Sequence, residues 1–320
     1  MSKKIKIGIV GYGNISKKHI AAINKNKKFE IVSICDSKSL KIKYKKYKFF
    51  NDMLKTEKDI DLVTILSPSG YHYDQIIKSL KYRKHVIVEK PICMNLYQAK
   101  KVMIYEKKYK RKVFVVYQNR LNPLIKFVRK KIKDKALGKL IMFNSSLSWN
   151  RDDKYFKKSK WRGTKKLDGG VIMNQGIHNL DIFYNLFGEV KSLYCIKSKI
   201  KKFLECEDTC VTSITFKNGL IGNFSISTAV NKENYSNILE IFGVKNNIKL
   251  YGKNLNILDY KKKVKVFEKD GELHFNFYKL VYKSIVHKKL NQFSSKSVLH
   301  SMKIIDAVNK SIKLNSKIFL

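Results

Sequence analysis

One segment limits this chain more than any other: Ile5-Lys6-Ile7-Gly8-Ile9-Val10, a short apolar run, breaks at Gly11-Tyr12-Gly13-Asn14-Ile15-Ser16 and continues into an amphipathic stretch to Asn26. An apolar run of that length reads as a strand buried on both faces, and the stretch after it as a crossover helix. The alternation then repeats. Phe29 to Cys35, Leu62 to Leu66, Val86 to Val88 and Val113 to Tyr117 are further buried strands, with helical patterns at Tyr73 to Lys84 and Leu96 to Lys108. Strand and helix in alternation specify a doubly wound parallel sheet.

After about Gln118 the period changes. Leu140 to Trp149, Val190 to Ile200, Thr209 to Phe216, Leu220 to Thr228, Asn237 to Phe242 and Asn247 to Leu250 alternate apolar and polar residues, as strands of a mostly antiparallel sheet with one solvated face do. Helical patterns at Phe277 to Gln292 and Ser297 to Leu314 close the chain. The expected fold is α/β: a Rossmann domain over 1–118, then an α+β substrate-binding and oligomerisation domain over 119–320. The C-terminal helix of the second domain is free to pack back on the first. A length of 320 residues suits two cores. The uncovered sheet face predicts self-association as a dimer or tetramer.

A formal charge of +43 raises the question of nucleic acid. Of the 68 cations only six are arginine, and Ile, Asn, Tyr and Phe are abundant beside the lysines, a blend that AT-rich coding produces whatever the function. Base readers and phosphate clamps favour the forked guanidinium, so no nucleic-acid partner is expected. No apolar run reaches the roughly 18 residues of a membrane span. The start of the chain shows no export signal, and five scattered cysteines suit reduced thiols, so the expected location is the cytoplasm. Cys206 and Cys210 have no second ligand pair nearby, and no metal is expected.

The glycine turn carries chemistry. Gly11 permits the tight turn, Gly13 lets a pyrophosphate approach the backbone, and the following helix offers free N–H groups and a positive dipole end. Ser16 stands where glycine or alanine is usual. Asp36, at the end of the second strand, would accept from ribose hydroxyls and repel a 2′-phosphate, which favours NAD over NADP. All three prolines lie in loops after strands of this domain: Ser67-Pro68-Ser69, Glu89-Lys90-Pro91 and Arg120-Leu121-Asn122-Pro123. Ligands of open α/β sheets bind off the strands' carboxyl ends, so these loops rim the cofactor crevice. Lys90 enters it, where desolvation and the nicotinamide charge would suit it to proton transfer; taken alone, a lysine in so lysine-rich a chain reads as a solvated side chain. Farther on, in Asp168-Gly169-Gly170-Val171-Ile172-Met173-Asn174-Gln175-Gly176-Ile177-His178-Asn179-Leu180-Asp181, a helix from about Val171 would put Asn174, His178 and Asp181 on one face. The other histidines, among them His19, His85, His274, His287 and His300, are expected to be structural.

Taken together, the glycine turn, Ser67-Pro68-Ser69 with His72, Glu89-Lys90-Pro91 and Gly176-x-His178-x-x-Asp181 resemble the Gfo/Idh/MocA family of NAD(P)-dependent sugar oxidoreductases, over nearly the whole chain. The resemblance implies that Lys90 is catalytic and His178 its acid/base partner. It implies NAD across Gly11, Tyr12, Gly13, Asn14, Ile15 and Asp36, with Ser67, Pro68, His72 and Glu89 near the nicotinamide; Gln118, Trp161 and Arg162 are further expected cofactor contacts. Gln118-Asn119-Arg120-Leu121-Asn122-Pro123, Trp149-Asn150-Arg151, Trp161-Arg162-Gly163-Thr164 and Met173 to His178 look like the branch that oxidises the 3-hydroxyl of UDP-N-acetylglucosaminuronic acid for surface polysaccharide. Many members carry an acid where Asn174 stands here. The expected substrate contacts are Lys90, Arg120, Asn122, Arg151, Asn174, Gln175 and His178, with the three arginines suited to carboxylate or diphosphate. Related enzymes of this branch recycle NADH with 2-oxoglutarate. Two other readings stay open: a sugar or inositol dehydrogenase of the same family, and a non-catalytic nucleotide- or RNA-binding protein.

Overall fold

A computed structural model describes residues 4–39, 41–267, 271–289 and 292–320. The chain forms two compact units, one from 1–118 with 269–299 and the other from 119–268 with 300–320.

The first unit is a six-stranded parallel sheet in the order β3-β2-β1-β4-β5-β6. Its strands are β1 (Ile5–Val10), β2 (Phe29–Cys35), β3 (Lys45–Tyr47), β4 (Leu62–Ile65), β5 (His85–Glu89) and β6 (Val113–Val116). Helices α1 (Asn14–Lys25), α2 (Phe50–Thr56), α3 (His72–Lys81) and α4 (Leu96–Tyr109) run between them. The apolar runs are the central strands, and β4 and β6 are buried at every position, as two-sided packing requires. The order reverses between β1 and β4, the switch point at which such sheets bind ligands. β3 and α2 had no sequence signal: Lys45-Lys46-Tyr47 is a short edge strand with its lysines exposed.

Two later segments complete this unit. α8 (Gly271–Val286) packs on α1. Phe293 accepts from Val115 N at 2.8 Å and Ser295 donates to Val113 O at 3.2 Å, covering the free edge of β6. α8 starts and ends six residues before the stretch expected from the pattern, because Leu273, Phe277, Tyr278 and Val281 set its buried stripe.

The second unit is a nine-stranded mixed sheet, β14-β13-β12-β11-β7-β10-β9-β8-β15, antiparallel except where β7 (Leu140–Ser148) meets β10 (Ile221–Ser227). The other strands are β8 (Val190–Ser198), β9 (Thr209–Phe216), β11 (Ser236–Gly243), β12 (Asn247–Tyr251), β13 (Ile257–Tyr260), β14 (Lys263–Val266) and β15 (Ile318–Phe319). Its helices are α5 (Pro123–Lys133), α6 (Asp153–Lys157), α7 (Ile177–Phe187) and α9 (Leu299–Leu314). Phe143, Phe183, Phe187, Phe216 and Phe224 interlock where α7 packs on the sheet. The opposite face leaves Tyr194, Ile196, Val211 and Ile221 exposed. Among the described residues no helix is long and apolar enough to cross a membrane.

Two local expectations are corrected. Pro123 is not a loop proline but the first residue of α5, where its missing N–H costs nothing. A single helix from Val171 does not form either. Ile172–Gly176 is a π-turn, and α7 begins only at Ile177. That wider turn displaces Asn174 from the face on which α-helical spacing would put it.

Candidate active site

Gly11 has φ +94°, and a Cβ there would stand 2.8 Å from the backbone of Leu66 and Ser67, so the turn closes against the β4 loop only as glycine. Gly13 is exposed, with nothing within 4 Å of where a Cβ would stand. The N-terminus of α1 behind it has no side-chain cap and no acid in its first turn, which leaves its dipole end open to an anion. Ser16 is fully buried and its hydroxyl donates to Gly13 O at 2.7 Å, so serine fits the third small position by closing the turn on itself. The Asp36 carboxylate accepts from Tyr12 N at 2.7 Å and Lys38 N at 2.9 Å, fixed beside that turn. An open helix terminus and an anchored carboxylate fit the pyrophosphate and ribose of NAD. Asn14 is exposed and Tyr12 and Ile15 half-buried along the same turn.

The next two loops are tied together from behind. His72 is 1% exposed, with Nδ1 2.7 Å from Pro91 O and Nε2 2.9 Å from Ser67 O. Burial lowers its pKa against these two carbonyls. It therefore braces the β4 and β5 loops, among which the cofactor contacts were expected. The Ser67 hydroxyl donates to Gln75 Oε1 at 2.6 Å. Pro68, Glu89 and Lys90 are half-buried there. Burial would push the Glu89 carboxyl up, but a hydrogen bond from His19 and the charges of His19, His274 and Lys90 outweigh it and hold the pKa at about 2. Gln118 is half-buried in the turn after β6.

In the second unit the arginines divide. Arg120 is buried and spends its fork on Asp181, so it is not free for the substrate role expected of it. Asp181 also accepts from Ser301 Oγ and lies 3.1 Å from His300 Nε2. Asn122 is 2% exposed and caps α5: its Oδ1 accepts from Leu124 N at 2.8 Å and its amide donates to Leu255 O at 3.3 Å. The cap takes the oxygen and the bond to Leu255 the nitrogen of the carboxamide that was expected to meet substrate.

Arg151 and Arg162 gather around Tyr155, Arg151 donating to Asn150 O at 2.8 Å and Asn234 Oδ1 at 3.2 Å and Arg162 to Tyr155 O at 3.1 Å. Their guanidinium carbons lie 5.2 Å and 4.0 Å from the centre of the Tyr155 ring, and Trp149 and Trp161 stack at 4.7 Å and 5.3 Å on Arg151 and Arg162 respectively. Each arginine keeps its Nε–H without a hydrogen-bond partner among the described residues. Arg151, Tyr155, Asn174 and Gln175 line one concavity with Asp168 and Glu207. The Asn174 amide donates to Asp168, whose other oxygen accepts from Gly163 N at 2.7 Å. Trp161 and Arg162, expected at the cofactor, belong to this cluster. His178 is half-buried at the start of α7, while Asp181, three residues on, faces the interior.

Three contributors escaped sequence reasoning. Tyr155 lies six residues from both Trp149 and Trp161, and that even spacing was the available signal. Asp168 precedes the Gly169-Gly170 turn and holds Asn174. His19 bonds Glu89 from the first helix, and no local pattern announces it.

Two family models match the chain: an oxidoreductase family NAD-binding Rossmann fold over residues 5–117 and the GFO/IDH/MocA C-terminal domain over 125–249. Among solved structures, the WlbA dehydrogenase of Bordetella pertussis in complex with NADH and UDP-GlcNAcA is 26% identical with a TM-score of 0.91, covering 100% of this chain and 99% of that one. The WlbA dehydrogenase of Chromobacterium violaceum, with the same two ligands, is 26% identical with a TM-score of 0.92, covering 100% and 97%. The inositol 2-dehydrogenase of Rhizobium meliloti is 26% identical over 195 residues, 58% of this chain and 56% of that protein.

Proposed function

This chain belongs to the Gfo/Idh/MocA family of oxidoreductases, with an NAD-binding Rossmann domain, and from that premise we propose that it oxidises the 3-hydroxyl of UDP-N-acetylglucosaminuronic acid with NAD. The observation that carries this reading is the end-to-end likeness to two WlbA dehydrogenases in complex with NADH and that sugar nucleotide. The second unit supports it. Such a substrate carries a carboxylate and a diphosphate, and Arg151 and Arg162 offer guanidinium donors around Tyr155.

When bound, the nicotinamide supplies the hydride acceptor. Lys90 and His178 are assigned to the 3-hydroxyl: one of them takes its proton, and the Lys90 ammonium stabilises the developing alkoxide. Asn174, held by Asp168, and Gln175 orient the sugar. Asp36 selects NAD by occupying the place of a 2′-phosphate. The reading includes a cytoplasmic enzyme of surface-polysaccharide synthesis and recycling of NADH by 2-oxoglutarate. It also includes a homo-oligomer that covers the apolar face of Tyr194, Ile196, Val211 and Ile221.

A second reading, an inositol or free-sugar dehydrogenase, is favoured by the likeness to inositol 2-dehydrogenase. Mass spectrometry of the sugar nucleotide after incubation with NAD and 2-oxoglutarate separates the two. A product two hydrogens lighter supports the proposal; unchanged substrate on protein that binds NAD overturns it in favour of a polyol.

A further inference from the structure

A buried hydrogen-bond chain in the first unit draws on three distant stretches of sequence and ends at the residue before Lys90. The Tyr278 hydroxyl on α8 lies 2.9 Å from His19 Nδ1 on α1, and His19 Nε2 lies 2.9 Å from Glu89 Oε1 at the end of β5. Glu89 Oε2 accepts from Lys90 N at 3.2 Å. Tyr278 and His19 are both 0% exposed, so water does not compete for these bonds.

The protons are fixed by what the partners can do. A carboxylate only accepts, so Nε2 carries the imidazole proton. The phenol, whose pKa burial pushes up, keeps its own proton and shares a hydrogen bond with Nδ1. Neutral or protonated, the ring presents Nε2–H to Glu89.

We propose that His19, oriented by Tyr278, is a positioning residue for Lys90: it pins an ionised Glu89 carboxylate against the Lys90 backbone and so fixes the negative charge that faces the Lys90 ammonium. This rests on the reading of Lys90 as the catalytic lysine. The groups around Glu89 are His19 from α1, His274 and Tyr278 from α8, His72 from α3 and its neighbour Lys90. His274 does not share the task. Burial pushes its pKa down to about 4, and neither of its ring nitrogens has a hydrogen-bond partner among the described residues. Without His19, burial is the dominant influence on Glu89, and a buried carboxyl without its donor takes up a proton.

The test uses the full-length protein and the variants His19→Leu, His19→Gln and Tyr278→Phe, with infrared spectra, NADH titration and the pH profile of turnover. His19→Leu is expected to show the C=O band of a protonated carboxylic acid at neutral pH. It should appear as an addition to the wild-type spectrum, in which Glu106 with its pKa of about 7 already contributes such a band, and the addition should vanish when His19→Leu is combined with Glu89→Gln. kcat should fall between about tenfold and 10²-fold, KM and NADH affinity should hold within about twofold, and the acid limb of the profile should move to higher pH. His19→Gln keeps a donor to Glu89 and should recover most of the rate. If His19→Leu does not fold, Tyr278→Phe carries the test, with the same changes at smaller amplitude.

No new band in His19→Leu, or an equal loss of rate in His19→Gln, would overturn the proposal. So would a stoichiometric transition metal in the wild type that disappears with His19, since the ligand atoms of His19, Glu89 and His274 lie within 4.8 Å of one another. A wild type that oxidises neither sugar nucleotides nor polyols would overturn the reading of Lys90 instead, and the infrared result would still decide the relay.

Discussion

Arg120 and Asp181 form a two-point ion pair sealed inside the second unit, Nε to Oδ2 at 2.8 Å and a terminal nitrogen to Oδ1 at 2.5 Å, with side chains 4% and 2% exposed. An arginine that chemistry alone marks as a substrate anchor is here a strut between the turn after β6 and α7.

Asp181→Asn leaves the Arg120 cation buried without its counter-charge, and unfolding free energy should fall by about 3–5 kcal/mol. Burial would raise the Asp181 carboxyl, but the Arg120 charge and hydrogen bonds outweigh it and lower its pKa. The stabilisation is therefore present above the ordinary carboxylate range and is lost as pH falls through the depressed value. Urea denaturation at several pH values checks both. A variant of wild-type stability with a raised KM would return Arg120 to the substrate.

Asp36 should set cofactor choice. Its carboxylate is anchored by Tyr12 N and Lys38 N, so Asp36→Ala removes a fixed acceptor and a fixed negative charge together. NADH affinity should drop by about tenfold and NADPH affinity should rise, both read by fluorescence titration. Unchanged preference would place the ribose elsewhere.

Glu106 predicts a pH dependence outside any ligand contact. Burial, opposed only in part by hydrogen bonds from Ser295 and Val113 N, raises its pKa to about 7 from 4.5. The folded state thus holds this proton more tightly. The contribution is full below about pH 4.5 and is lost as pH rises to about 7, amounting to ~3 kcal/mol. Glu106→Gln keeps an acceptor for Val113 N and should flatten that slope in thermal unfolding between pH 4.5 and 8. An unaltered slope would assign it to other groups.

Gly170 joins φ +89° to crowding: a Cβ would fall 2.2 Å from a carboxylate oxygen of Glu207. Gly170→Ala should cost about 1–3 kcal/mol in backbone strain and must also displace Glu207. Glu207 lines the same concavity as Asn174, so KM for the sugar nucleotide should rise as well. A fully stable variant with native KM would contradict both.

The parallel sheet was legible because each central strand is buried on both faces and leaves a continuous apolar run, and the glycine turn because its residues act where they stand. β13 and β14 were hidden: Lys261 to Lys265 reads as a solvated charge run, yet Lys263–Val266 pairs with Ile257–Tyr260 at the sheet edge. The π-turn at Ile172–Gly176 was beyond a fixed 3.6-residue period, so Asn174 and Asp181 were assigned one face and occupy two. Asn122 and Arg120 carry the right chemistry for a ligand, but whether a polar side chain meets ligand or protein depends on partners 61 and 133 residues away. The same holds for His19, whose hydrogen-bond partner Tyr278 is 259 residues distant.

Lys90→Met gives the most direct test of the chemistry. The substitution keeps the length of the side chain and removes its charge and proton, while the Lys90 N–H that Glu89 Oε2 accepts belongs to the backbone and survives. The elements assigned to NAD, the open turn at Gly13 and the anchored Asp36, lie on other loops and are untouched. NADH affinity should therefore stay within about twofold, while turnover falls by 10²-fold or more, roughly the contribution of a positioned acid or base. His178→Asn should lose rate on a similar scale if it moves the proton. It should lose little if Lys90 acts alone, so the two variants, measured against one substrate over one pH range, divide the roles. A Lys90→Met enzyme that turns over at the native rate would remove Lys90 from the reaction and take the proposed mechanism with it.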